Sequence, residues 1–280
     1  MRIGFHVSIA GGIPLSVGRA AELGCTTMQL FTHSPRSWAL TDISREDAAL
    51  FASNRINAGI APVFVHTSYL INLASSKPEL YGRSIDALRT EVLRADMIGA
   101  EYVVTHLGSA SESGPAEALG RVSVAVARAL DGLDTGTVLL LENTAGERGD
   151  VGWEFGDIGE IISRSGAQRI GVAMDTCHSF GAGYDLKTKS GLDDVVDQMD
   201  AAFGLERLKL IHLNDSKHPQ GSRRDRHESI GQGEIGRAAF RRILNHPRLR
   251  DIPFVMETPK AAPDDDIKNM ALVRKIRNKI

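Results

Sequence analysis

Nine side chains scattered along the chain are of the types that bind divalent metal: His66, His106, Glu142, Asp175, His178, His212, Asp225, His227 and Glu257. Six of them close a short apolar run, in VFVH, YVVTH, TVLLLE, IGVAMD, LKLIH and FVME. His178 follows Asp175 by three residues, and Asp225 and His227 follow the run that ends near His212. In an extended segment residues two apart point the same way, so Asp225 and His227 can reach one point as a carboxylate–imidazole pair. Nine donors exceed what one zinc takes, about four. They suit two or three ions, with a carboxylate such as Glu142 bridging two of them. Carboxylates crowded together without a cation between them would repel.

Something must bring these residues to one place. Apolar, β-prone runs span Arg2–Val7, Thr26–Phe31, Val63–His66, Tyr102–His106, Thr137–Glu142, Ile170–Asp175, Leu208–Leu213 and Phe254–Glu257. Helical patterns alternate with them over Ile13–Leu23, Ser44–Ala58, Glu79–Ile98, Pro115–Leu130, Phe155–Ser165, Leu192–Phe203, Ile235–Leu244 and Ile267–Ile280. Strands alternating with helices predict a parallel sheet covered by helices. At 280 residues a closed (β/α)8 TIM barrel is the economical form, since ~250 residues is typical of it. A doubly wound open sheet is the alternative. No linker or low-complexity segment divides the chain, so residues 1–280 are expected to form a single domain. In a barrel the C-terminal strand ends make one rim, where active sites are built.

Composition narrows the partners. A hydrophobic content of 42% supports a sizeable core, and a formal charge of −2 gives no bulk attraction to nucleic acid or membrane. Three Zn²⁺ among four ligand carboxylates would reverse that locally and take the chain from −2 to about +4. An anionic phosphoester is then the natural substrate. Cys25 and Cys177 are too few and too far apart for a disulfide framework, and no apolar leader or membrane-length run is present, so a cytoplasmic protein is expected. GQGEIG over Gly231–Gly236 spells a dinucleotide fingerprint but follows a polar loop instead of a strand, so no nucleotide cofactor is expected. Cys177 reads as strand-end packing, His6 and Gln29 as residues behind the ligands, and His33, His218 and His246 as loop or surface residues. Asp264, Asp265 and Asp266 read as a helix N-terminus.

The segments SYLINL after His66, ENTAG at Glu142, DTCH at Asp175–His178, HLNDSK at His212, DRH at Asp225–His227 and ETP at Glu257 resemble endonuclease IV, the zinc-dependent apurinic/apyrimidinic endonuclease family of base-excision repair. The resemblance spans essentially the whole chain. It implies a barrel holding three zinc ions, with Mn²⁺ as an alternative in some sites. His66, His106 and Glu142 would hold the first ion, and Glu142 would bridge to a second completed by Asp175, His212 and Glu257. His178, Asp225 and His227 would hold the third. The implied reaction is hydrolysis of the phosphodiester 5′ to an abasic deoxyribose in duplex DNA, leaving a 3′-hydroxyl and a 5′-deoxyribose phosphate. Glu142 and Glu257 would orient the attacking water, whose pKa metal lowers to ~7.

By the same resemblance, Arg36 in THSPRSW and the pair Tyr69 and Leu70 would enter the base stack. Lys217, Arg223, Arg224 and Arg226 would contact phosphates, and a monomer is expected. The chain departs from the family pattern at Ser34 (usually Asn), at Leu107 (often Pro after the histidine) and at Glu147 and Arg148, which precede a glycine found one residue earlier in the family. None of these is expected to touch a proposed ligand, so loop geometry and lesion preference are where they should act. A rival reading is a metal-dependent sugar isomerase or epimerase, whose barrels also ring ions with carboxylates and histidine. It needs only one or two ions and a closed pocket, which leaves His178, Asp225 and His227 unexplained. A non-catalytic barrel that binds DNA is weakened by the near-neutral charge, and one that stores metal by the lack of any sign of the coordinatively closed site that storage prefers.

Overall fold

The structure, a computed structural model, describes residues 1–110 and 114–277. Eight parallel strands form the central sheet: β1 (Ile3–Phe5), β2 (Met28–Leu30), β3 (Val63–His66), β4 (Tyr102–Thr105), β5 (Val138–Glu142), β6 (Ile170–Asp175), β7 (Leu208–His212) and β10 (Phe254–Met256). Their order is β1-β10-β7-β6-β5-β4-β3-β2. The remaining seam, between β1 and β2, closes through a parallel bridge of His6 with Gln29 and the Val7 N–H donating to Gln29 O at 2.8 Å. The sheet is therefore a TIM barrel, not the open alternative. The chain enters it so tightly at Gly4 that a Cβ there would lie 1.8 Å from Thr27 O, which only glycine avoids.

Helices α1 (Ile13–Glu22), α2 (Arg45–Asn57), α3 (Pro78–Met97), α4 (Pro115–Leu130), α5 (Phe155–Ser165), α7 (Lys189–Phe203), α8 (Arg237–Asn245) and α9 (Asp265–Arg277) sheathe the barrel. Local chemistry sets their starts. Ser44 accepts from the Asp47 N–H at 3.0 Å and caps α2, Thr188 caps α7 in the same way, and proline opens α3 and α4. The last three residues of the final expected helix, 278–280, lie outside the described residues. No helix among the described residues is long and apolar enough to cross a membrane.

A short helix and a small strand pair were not legible in the pattern. A short helix, α6 (Thr176–Ala182), starts directly after β6, with Asp175 as its N-cap. A small antiparallel pair, β8 (Asp215–Ser216) with β9 (His227–Glu228), folds the loop after β7 back over the rim. Both are too short to show a period.

The strand period of two explains how the rim is made. Phe64, Val104, Leu140, Ala173, Leu210 and Val255 form a separate buried cluster, while their strand neighbours Val65, Val103, Leu139, Val172, Ile211 and Phe254 belong to the core shared with the helices. Two residues beyond each member of the small cluster stand His66, His106, Glu142, Asp175, His212 and Glu257. Side chains two apart share a face, so an apolar layer fills the barrel and the donors form the layer above it. β4 and β10 end one residue before His106 and Glu257, where the chain turns out into the rim loops.

Candidate metal centre

Glu142, fully buried, sits at the middle of the donor layer. Its Oε2 lies 3.2 Å from His66 Nε2 and 3.5 Å from His106 Nε2, and its Oε1 lies 2.8 Å from His212 Nδ1. His212 Nδ1 also lies 3.5 Å from Glu257 Oε2 and 4.0 Å from Asp175 Oδ2. On the far side, Asp225 Oδ1 is 3.2 Å from both His178 Nε2 and His227 Nε2. The donor atoms thus gather in three sets, His66/His106/Glu142, Glu142/Asp175/His212/Glu257 and His178/Asp225/His227, each within 4.8 Å. Cys177 adjoins Asp175 and His227 in the same way, and its buried thiol is pushed up to about 12, mainly by burial.

The second nitrogen of four rings fixes which atom faces the centre. Carbonyl oxygens only accept, so Nδ1 of His66, His178 and His227 must donate, to Thr67 O, Asn143 O and Glu257 O at 2.8, 2.9 and 3.1 Å. In the neutral form of each ring, Nε2 then carries the lone pair and faces the donor centre. His212 is reversed: Nε2 faces Gln29 Oε1 at 2.8 Å, so Nδ1 points inward. Gln29 Nε2 in turn donates to Glu257 Oε1 at 2.6 Å and to His6 Nδ1 at 2.9 Å. Asn143 and Asn214 pin the backbone of the ring by accepting from the N–H groups of Asp175 and Glu257 at 2.7 and 2.8 Å. Reading only titratable types misses these amides. The signal was an asparagine one or two residues past a donor, in ENT and HLN.

The electrostatics call for a cation. Burial pushes the Glu142 carboxyl up, but His212 and His106 outweigh it and hold it well below the usual carboxylate range. Glu257 and Asp225 are likewise depressed against burial, by His212 and His178 respectively. Burial lowers the rings, yet the carboxylates raise His212 and His227 to about 9. Four carboxylates in one rim are thus balanced by drawing positive charge to themselves. His227 Nε2 is buried and close to Asp225 but makes no hydrogen bond with it, the geometry of two ligands aimed at a common third atom. The donor set therefore fits divalent metal.

A cleft of about 910 Å³ opens over the centre, with Arg36, Tyr69, His106, His227 and Lys260 among its walls. Tyr69 is 61% exposed although it sits against Phe31 (ring centroids 5.4 Å apart), and Leu70 is half-buried beside it. The expected phosphate contacts stand outside this cleft. Arg223 stacks 3.5 Å over Trp153, Arg226 lies 3.3 Å from Glu147, and Arg224 is exposed. Lys217 lines a separate hollow with Lys187 and Arg237. His33, expected in a loop or at the surface, is a buried loop residue bonded to Glu91.

One further point corrects the sequence reading. Glu147 does touch a proposed ligand, accepting from the Asp225 N–H at 3.2 Å. The glycine-rich GQGEIG run wraps the buried Asp215 carboxylate, which accepts from the N–H groups of Gly231, Gly233 and Ile235 at 2.9, 3.0 and 3.0 Å. Amides that cradle a phosphate elsewhere are here satisfied from within. Arg148, where the family pattern has its glycine, takes φ 52° and exposes its side chain. An L side chain is strained there, so Arg148→Gly is expected to raise stability by about 0.5–1 kcal/mol. A rise in the denaturant midpoint checks this; an unchanged or lower one refutes it.

The family model described as a xylose isomerase-like TIM barrel matches residues 17–276. A protein of Methanosphaerula palustris named "Probable endonuclease 4" is 45% identical over 280 residues, covering 99% of this chain and 98% of its own. The crystal structure of endonuclease IV from Thermus thermophilus superposes with a TM-score of 0.89 at 38% identity, covering 99% of this chain and 98% of that one. A D-tagatose 3-epimerase-like protein superposes at 0.74 with 18% identity over 99% and 97% of the two chains, a likeness of fold alone. Matched over almost its entire length by a protein of that name and by a solved structure that bears it, the chain belongs to the endonuclease IV family of xylose isomerase-like TIM barrels.

Proposed function

We propose that this protein is a DNA-repair endonuclease that cuts duplex DNA on the 5′ side of abasic sites, leaving a 3′-hydroxyl and a 5′-deoxyribose phosphate, with three zinc ions in the rim. What supports this most is the three-set convergence of nine donor side chains beneath an open cleft in a chain of this family. His66, His106 and Glu142 would hold one ion, Glu142, Asp175, His212 and Glu257 a second, and His178, Asp225 and His227 the third. Bound zinc would supply a nucleophile at neutral pH and neutralise charge on the scissile phosphate and the leaving 3′-oxygen.

The chain's own groups do the rest. Glu142 and Glu257, at the floor, orient the attacking water. Gln29 holds Glu257 Oε1, so that Oε2 is the oxygen presented inward. Arg36, Tyr69 and Leu70 wedge into the base stack, where an abasic nucleotide has the least stacking to lose. An open, exposed lip suits a duplex better than a small sugar. Arg223, Arg224 and Arg226, and further out Lys217, meet flanking phosphates. The whole barrel is the catalytic unit, acting as a cytoplasmic monomer.

Elemental analysis paired with a nicking assay on an abasic oligonucleotide tests the reading. Zinc near three equivalents and a single 5′ incision are expected; zinc-replete protein that holds no transition metal, or intact substrate, would reject it. Within the same assay, Asp225→Ala is expected to lower zinc by about one equivalent, because only the His178/Asp225/His227 set loses a ligand. Unchanged metal content would deny that the third set binds.

A further inference from the structure

The 32–41 loop after β2 carries Arg36, and its base is stapled by two buried charged residues of α3. Glu91 is 2% exposed and Arg94 8%. Thr32 Oγ1 donates to Glu91 Oε2 at 2.7 Å, and His33 Nε2 lies 2.7 Å from Glu91 Oε1. His33 Nδ1 has no hydrogen-bond partner, so Glu91 alone holds that ring by a polar bond. Arg94 Nε donates to Thr32 Oγ1 at 2.9 Å, and its Nη2 donates to Thr32 O and Thr41 O, both at 2.8 Å. One guanidinium thus ties the first and last residues of the excursion together. Outside the staple, Arg83 sits 4.4 Å over the Trp38 ring.

The tie passes on to the neighbouring loop. Pro35 O accepts from Ser68 Oγ at 2.8 Å and from the Tyr69 N–H at 3.2 Å. Arg36 and Tyr69 are therefore parts of one assembly keyed to α3. A buried carboxylate and guanidinium are a costly way to fill space, and apolar side chains would pack the same volume at least as stably. What the charged groups add is direction, through bonds to Thr32, His33 and Thr41 that fix one loop conformation.

We propose that Glu91 and Arg94 are positioning residues for the substrate-reading face: they preset the 32–41 loop, and through Pro35 the Tyr69 loop, in the shape that meets the damaged duplex. The inference rests on the nuclease reading above for what the face meets, but not for the staple itself. The test uses the zinc-loaded full chain with Glu91→Ala and the conservative Glu91→Gln, which can still accept from Thr32 and donate to a tautomerised His33. Glu91→Ala is expected to raise KM for abasic duplex about tenfold while kcat stays within about twofold. Zinc content should not change, and Glu91→Gln should recover most of the loss. Without DNA, Trp38 emission is read in a Trp153→Phe background, and Glu91→Ala should shift it to the red. If Glu91→Ala fails to fold, Thr32→Val, which removes the hydroxyl shared by both residues, should move KM and emission the same way. Unmoved KM and emission, or loss of kcat and zinc at constant KM, overturns the proposal. Failure of the unmutated protein to nick abasic DNA rejects the nuclease reading instead, and the emission arm still decides the staple.

Discussion

Glu142→Gln is expected to lower the rate of abasic-site cleavage by roughly a thousandfold at saturating substrate. The residue lies within 3.5 Å of ring nitrogens of His66, His106 and His212 and is fully buried among them. Among the described residues it is the one member shared by the first two donor sets. Glutamine keeps the shape and removes the charge, and its NH2 would turn a donor toward a place where a cation belongs. Single-turnover kinetics with metal analysis on the same sample separates the causes. Metal-loaded protein that turns over at the normal rate would end the proposal that Glu142 bridges ions and orients water.

The second large effect is on stability. Asp215→Ala should cost about 3 kcal/mol, or roughly 6–10 °C in Tm. Its carboxylate accepts from the N–H groups of Ser216, Gly231, Gly233 and Ile235 at 2.8 to 3.0 Å. Removing one side chain strands several buried donors, each of which has given up its bond to water. The damage should also reach the metal centre, because β8, which contains Asp215, pairs with β9, which contains His227. Thermal unfolding and zinc content would be read together. A Tm within about a degree of the parent would show that the glycine-rich loop holds itself.

How far the chain could be read from its order of residues depended on the range of the interactions. Val63–His66 and Ile170–Asp175 were legible to the residue, and the other barrel strands to within two residues, because buried parallel strands are continuous apolar runs cut off by polar residues. The donors were legible for the same reason, as polar residues at the ends of such runs. α6 was not, since its seven residues are held by the Asp175 cap and the fold around it more than by any periodicity. His33 was read as a loop or surface residue and does lie in a loop, but its burial was not legible because its partner Glu91 is 58 residues away, beyond any local pattern.

By itself, the order of amino acids determined that strands and helices alternate, that six donors end apolar runs, and that Asp225 and His227 share one side of their segment. Those are consequences of strand geometry repeating every two residues, a local property. Only the closed barrel decided that His178 meets the distant Asp225, which nitrogen of each ring turns inward, and that Asp215 occupies a loop spelled like a nucleotide site. Apart from His66, whose Nδ1 is set by the adjoining Thr67 carbonyl, these depend on partners 16 or more residues away, such as Asn143 O for His178, Glu257 O for His227 and the Gly231 amide for Asp215. Such partners become neighbours only when the ring of parallel strands has closed.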